Sequence, residues 1–166
     1  QRSVRGYVTG PLTDSIAASF GGSTLQRDGY FDNVALDTEL NDRDRWALRG
    51  ELLFEISEST NLRVAVDFDE LEEACCGTAN LFDGPAGGAL AALSIVPGTA
   101  YSTEPYEYET YLNQDPVTKA ENGGITVDFS TEIGDLTFRS ITGYRESKVD
   151  NENEDIDYSA ADAIGN

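Results

Sequence analysis

The sequence predicts an all-β fold: antiparallel hairpins of a transmembrane β-barrel wall. Three observations carry that expectation. Apolar and polar residues alternate with a period of two over several runs, three short turn-like connections sit inside those runs, and long acidic stretches separate them. A period of two gives one strand two unlike faces, because successive side chains point to opposite sides of the pleat.

The first hairpin is expected over about 2–25. "TGPLTD" (9–14) lies between "RSVRGYV" and "SIAASFGGSTL", where Ile16, Ala18 and Phe20 share a parity before the glycines dilute it. The second, about 44–70, has the cleanest pattern. Trp46, Leu48, Leu52, Phe54 and Ile56 fall on one parity and Ala47, Arg49, Glu51 and Glu55 on the other, broken only by Leu53. After "SESTN" (57–61), Leu62, Val64, Val66 and Phe68 alternate with Arg63, Ala65, Asp67 and Asp69. The third hairpin, about 123–147, turns at "EIGDL" (132–136). Ile125, Val127 and Phe129 alternate cleanly before it, whereas Ser140, Thr142 and a misplaced Ile141 blur the strand after it. Gly, Pro, Asp, Asn and Ser dominate all three turns, as tight hairpins require.

Between hairpins the connections are expected to be long acidic loops, about 28–43, 70–122 and 148–166. Loops beyond about 12–15 residues are uncommon in compact domains. Up-and-down membrane barrels have them for a physical reason, since one rim carries short turns and the other long external loops. Strands of about 9–11 residues suffice to cross the hydrocarbon at a tilt. No apolar stretch reaches the ~18–20 residues of a spanning helix. Trp46, Tyr30, Phe68 and Tyr144 lie where an interfacial aromatic girdle would place them. "GALAALSIV" (88–96) reads as a short apolar helix inside the second long loop.

Composition narrows function. The 166 residues carry a net charge of −20, from 31 acidic against 11 basic side chains. Nucleic acid is therefore a poor partner, because phosphate binding needs Lys and Arg. The 39% hydrophobic share falls below that of average globular chains and promises a weak core. There is no His, so neither a Ser-His-Asp triad nor a His-paired Cys can form within the chain. "GPAGGAL" (84–90) lacks both phosphate-loop spacings, and no carboxylate pair stands out as catalytic, so no enzyme is expected.

Two features remain as candidate sites. "DFDELEE" (67–73) and the run Asp150, Glu152, Glu154, Asp155 and Asp157 are oxygen-rich, as calcium or another divalent cation prefers, although neither has the EF-hand pattern and solvated loops carry the same residues. Cys75 and Cys76 are adjacent, leaving a vicinal disulfide, free thiols or intermolecular pairing open, while zinc lacks its usual four ligands. The chain holds no Met and opens in mid-pattern, as expected of a mature product or an internal piece of a longer protein.

Three stretches, "VRGYVTGPLTDSIAASFGGSTLQRDGYFDN", "LNDRDRWALRGELLFEISESTNLRVAVDFDELEEACC" and "DLTFRSITGYRES", resemble in order the early barrel strands of TonB-dependent outer-membrane receptors. "GYVTGPLTD", "RDGYFDN", "DRDRWALRGELLFE" and "ITGYR" are the most specific pieces; 77–121 carries almost no such signal. The resemblance implies an outer-membrane β-barrel of about 22 strands closed by a plug, taking up iron chelates, cobalamin or glycans. It implies partners in the rest of the parent barrel, its plug and outer-membrane lipid, with Trp46 to Ile56 facing lipid and Arg49, Glu51 and Glu55 facing the wet lumen. The stretch departs from the family in having no plug, coupling box or closing strand, and about six strands cannot shut such a ring. Two alternatives therefore stand beside it. One is a liberated fragment that self-assembles as a cross-β filament, an extracellular homo-polymer. The other is a secreted soluble β-sandwich that binds cations.

Overall fold

The computed structural model describes residues 1–79, 84–85, 87–99, 101–102, 106–154 and 159–161. Its main feature is a six-stranded antiparallel sheet in chain order, β1-β2-β5-β6-β8-β9. β1 (Arg2–Thr13) pairs with β2 (Ile16–Arg27), β5 (Arg43–Ser57) with β6 (Thr60–Ala74), and β8 (Val117–Ile133) with β9 (Leu136–Glu152). Each hairpin closes through a two-residue connection at 14–15, 58–59 or 134–135, all on one rim. The long connections leave from the opposite rim. Among the described residues the fold is all-β apart from one short helix, α1 (Gly87–Leu93), close to the expected 88–96.

The strands run past the ends of their apolar alternation. β6 reaches Ala74 rather than about 70, β8 begins at Val117 rather than about 123, and β9 ends at Glu152 rather than about 147. A backbone ladder does not require apolar side chains, and here charged ones pair across it. Lys119 Nζ on β8 lies 3.1 Å from Glu152 on β9 and 3.9 Å from Glu72 on β6.

The connections expected as loops at 28–43 and 70–122 carry structure of their own. β3 (Phe31–Asn33) pairs antiparallel with β4 (Thr38–Leu40) and parallel with β7 (Glu109–Thr110), so the two connections share one small sheet. Phe31, Leu40 and Leu112 form its buried core, with Ala74 and Ala79 against them. Asn33 is fully buried and fully used. Its Nδ2 donates to the Leu112 carbonyl and to Asp115, and its Oδ1 accepts from the amides of Leu112 and Ala35. Tyr30, expected in a wall girdle, instead packs edge-on against Phe31 and Tyr108 in this rim unit, because the chain leaves β2 at Arg27.

Among the described residues the large buried hydrophobic side chains, Phe31, Leu40 and Leu112, belong to this rim unit; in the six-stranded sheet the only buried hydrophobic residue is Ala120. Among the described residues no second sheet packs on either face of the six strands, so they form a single layer.

Leu40→Ala tests whether the rim unit has an independent core. Truncating a fully buried leucine costs about 2–5 kcal/mol. Hydrogen exchange is expected to accelerate at the amides of Tyr30, Asp32 and Val34, which bond across this unit. The protection of β5 and β6 amides below Trp46 is expected to stay unchanged.

Candidate functional site

Because partners across an antiparallel ladder share a face, the register writes out both surfaces row by row. One face carries Gly10–Ala18–Leu52–Val64–Val127–Thr142, then Val8–Phe20–Gly50–Val66–Ile125–Tyr144, then Gly6–Gly22–Leu48–Phe68–Gly123–Glu146. This band lies open: Val8 is 65% exposed, Phe20 54% and Tyr144 66%. The next row, Val4–Thr24–Trp46–Glu70–Glu121–Lys148, turns charged on three of six strands. At that border Trp46 packs on Phe68 with ring centroids 5.2 Å apart.

The other face is ionic. Asp128 on β8 accepts hydrogen bonds from Arg139 at 2.9 and 2.6 Å and lies 3.3 Å from Arg63 on β6. Arg63 also approaches Glu51 at 3.8 Å, and Glu51 lies 3.7 Å from Arg49. Nearer the long-loop rim Arg145 reaches Asp67 two strands away. Gly124 occupies the position between them, and a Cβ there would lie 3.4 Å from the Arg145 guanidinium carbon and 3.2 Å from the Tyr144 carbonyl. The absent side chain leaves the guanidinium its path. Asn122 adds a bond to Asp69 at 2.8 Å and accepts one from Ser147. Such networks suit a wetted surface, where charges keep part of their solvation.

The pleat divides the expected acidic run "DFDELEE". Asp67, Asp69 and Glu73 join the ionic face, and Glu70 and Glu72 the opposite one, so the five carboxylates do not converge. Glu73, with 5% of its side chain exposed, is held by Arg43 at 2.7 Å and by a fork of Arg45, whose Nε and Nη2 donate to its two carboxylate oxygens. The hydrogen bonds from Arg45, then the charges of Arg45 and Arg43, hold its carboxyl below the ordinary range against the opposing effect of burial.

Of the second acidic run, Asp150 and Glu152 lie on β9 and Glu154 follows it, whereas Asp155 and Asp157 lie outside the described residues. Asp150 pairs with Lys119 in the ladder, and Glu152 binds the Lys119 ammonium, raising its pKa. No group of three carboxylate, Cys or His ligands able to hold a metal occurs among the described residues. Lys119 was legible only as an isolated base in the sequence; its role follows from strand register.

Cys75 and Cys76 are joined as a vicinal disulfide where the chain leaves β6. The junction is tied on both sides. Asn41 donates its amide to the Ala74 carbonyl, Asp42 accepts from the Ala74 amide, Gly77 donates to Asn41 Oδ1, and the Cys75 amide donates to the Pro116 carbonyl. No helix of the described residues is long and apolar enough to cross a membrane. No family model, curated protein or solved structure matches the chain.

Glu73→Gln removes the charge that holds two guanidinium groups together. A loss of about 1–3 kcal/mol is expected for a buried charged hydrogen-bonding group, toward the lower end because Arg43 and Arg45 remain 33% and 44% exposed. A depressed carboxyl pKa means that the contribution is complete above the unfolded value of about 4.3 and fades as pH falls through the lower folded value. Exchange protection at the Asn41 and Ala74 amides is therefore expected to fall in the wild type below about pH 4.3, and to depend far less on pH in Glu73→Gln.

Proposed function

We propose that this chain is a segment of an outer-membrane β-barrel wall of the TonB-dependent receptor kind, contributing wall and external loops to the uptake of a metal chelate or another nutrient. One observation carries the reading. A single-layer sheet exposes a continuous apolar band on one side and a satisfied ion-pair network on the other, and no described residue covers the band. In water that band would cost about 25 cal/mol for each Å² left uncovered. Against hydrocarbon it costs nothing, while the ionic face meets a water-filled or plugged lumen.

The rims agree with this reading. Two-residue turns suit the periplasmic side, and the folded rim unit suits the outside. Residues 28–42 and 70–116 contain no Lys or Arg, so the excess negative charge concentrates on the external side. The ligand class these loops suit is cationic or metal-bearing. The free edges of β1 and β9 would pair with the remaining strands of the parent barrel, since an open edge in hydrocarbon leaves backbone groups unsatisfied.

Those same edges favour a second reading, self-assembly of the free chain into an extracellular filament. The charge of −20 opposes it, because stacking in register would set each carboxylate over its own copy.

Folding the 166-residue chain with and without detergent or lipid vesicles separates the readings. β-structure that forms only with detergent or lipid, with copies joined through their β1 and β9 edges, is expected. A compact monomer in buffer alone overturns the wall reading. Fibres in detergent-free buffer, with a yield that falls as the carboxylates ionise on raising the pH, would support the filament instead.

A further inference from the structure

We infer that the two free edges of the sheet fit each other: β9 of one copy accepts β1 of a second copy, head to tail, in the register that sets Thr137 opposite Thr9 of the second copy. The inference rests on the reading that the apolar band meets hydrocarbon, and it names the strand that suits the edges this reading leaves open.

Direction and parity come first. Six strands, each antiparallel to its neighbour and in chain order, leave β1 antiparallel to β9, so a head-to-tail joint continues the sheet with every short turn on one rim. Joining β1 to β1 with the two faces in line would need a half-turn about the sheet normal, which sends one copy's folded rim to the opposite side of the bilayer. Only alternate registers keep Val4 and Val8 of β1 on the side of Phe138 and Tyr144.

The choice among those registers follows from a stagger that the sheet already shows. Along the row Thr9–Ser19–Glu51–Ala65–Thr126–Gly143, the stretch from row to turn is Ser19–Ile16 on β2, Ala65–Thr60 on β6 and Gly143–Leu136 on β9, two residues longer at each hairpin. A step of one residue per strand is the stagger that closes a barrel, with strands tilted about 36° to its axis. The next step brings Leu25 of the second copy onto the row, and with it Ser3, the β1 partner of Leu25, opposite Gly143.

The side chains agree with that step. It sets Phe138 opposite Val8 on the apolar face and Thr137 opposite Thr9 on the ionic face, both favourable cross-strand pairs. It sets Tyr144 opposite Arg2 and Arg139 opposite Tyr7, so each exposed ring meets a guanidinium. β1 carries two arginines and no acid. Arg2 lies diagonal to Glu146, at a corner where Glu121, Glu146, Asp150 and Glu152 outnumber Lys119 and Lys148, and Glu70 and Glu72 add to the excess. Asp44 shares the row of Arg2 within the second copy, two strands further in. Arg5 lays its stem on Ile141 and keeps its head in the wetted face, while Arg139 on the diagonal is held by Asp128 at 2.9 and 2.6 Å. Sliding the joint by four residues, toward the straight row, would set Arg5 opposite Arg145 and Arg2 opposite Lys148, with like charges face to face.

Cross-linking of the full chain tests the joint on the edges themselves. Chains with Thr9→Cys would be mixed, unfolded and in equal amounts, with chains carrying Thr137→Cys, Arg139→Cys, Ile141→Cys or Gly143→Cys, then folded into detergent and oxidised; Cys75 and Cys76 stay joined to each other. A disulfide needs Cα atoms within about 7 Å, so the Thr137→Cys mixture is expected to give at least about three times the covalent dimer of any other. Tyr144→Ala is expected to lower that yield about threefold by removing the ring under Arg2, and Tyr144→Phe to preserve it. A maximum at Arg139, Ile141 or Gly143, or no effect of Tyr144→Ala, overturns the register. Dimers formed as readily by Thr9→Cys alone overturn the head-to-tail joint. Detergent-dependent β-structure without cross-links overturns the joint and spares the wall reading, whereas a compact monomer in buffer alone overturns both.

Discussion

Everything in this structure depends on parity being kept across six strands. A one-residue slip in any ladder would send its apolar set to the ionic side and its arginines into the band. The register shows how the slip is avoided. Irregularities occur between Pro11 and Thr13 and between Glu55 and Ser57, both beside the short turns, and the ladders between β2 and β5, β6 and β8, and β8 and β9 run without a break. The bends sit where a hairpin closes, so each row crosses the sheet intact.

The ionic face reinforces that register. Arg63, Arg139 and Asp128 tie β6, β8 and β9 together, while Arg63 and Glu51 tie β6 to β5. In each pair the arginine stays largely exposed, so each is worth little alone. Their joint effect is geometric, because a shift of β6 by one residue would turn Arg63 to the opposite face and break contacts on two sides at once. Arg145 extends the same logic over two strands, and glycine at 124 leaves it room. The net charge of −20 is thus partitioned. Arginines accumulate where carboxylates must be neutralised, and unpaired acids accumulate on the rim, where water solvates them.

The period of two was legible because it is local: adjacent residues suffice to show it. Even its two blemishes make sense in three dimensions, since Leu53 and Ile141 fall in the same row of the ionic face, at either side of Arg63 and Asp128. Strand ends were not legible, because beyond Phe68 the ladder continues through charged residues whose pairing with Lys119 requires knowledge of register. The rim unit was invisible for a stronger reason. β3 and β7 have three and two residues and meet in parallel across more than seventy positions. No periodicity develops in so few residues. Asn33 carries the one available hint, a polar residue in an apolar setting that has to find partners, but its partners Leu112 and Asp115 could not be named from sequence.

That rim unit exists as a consequence of the wall. A single-layer sheet with one face apolar and the other ionic offers no protein interior against which a long connection could pack. Two connections that fold at its edge must therefore bury their apolar residues against each other, which Phe31, Leu40 and Leu112 do. So small a core is insufficient by itself, and polar ties complete it: Asn33 within the unit, and Asn41, Asp42 and Glu73 at its base. Because the base bonds run to Ala74 and to Arg43 and Arg45, the loops are anchored on β5 and β6 rather than on each other alone. The acidic surface they present is held in place by the strands with the cleanest alternation, and the position of the loops follows from the same parity that divides the two faces.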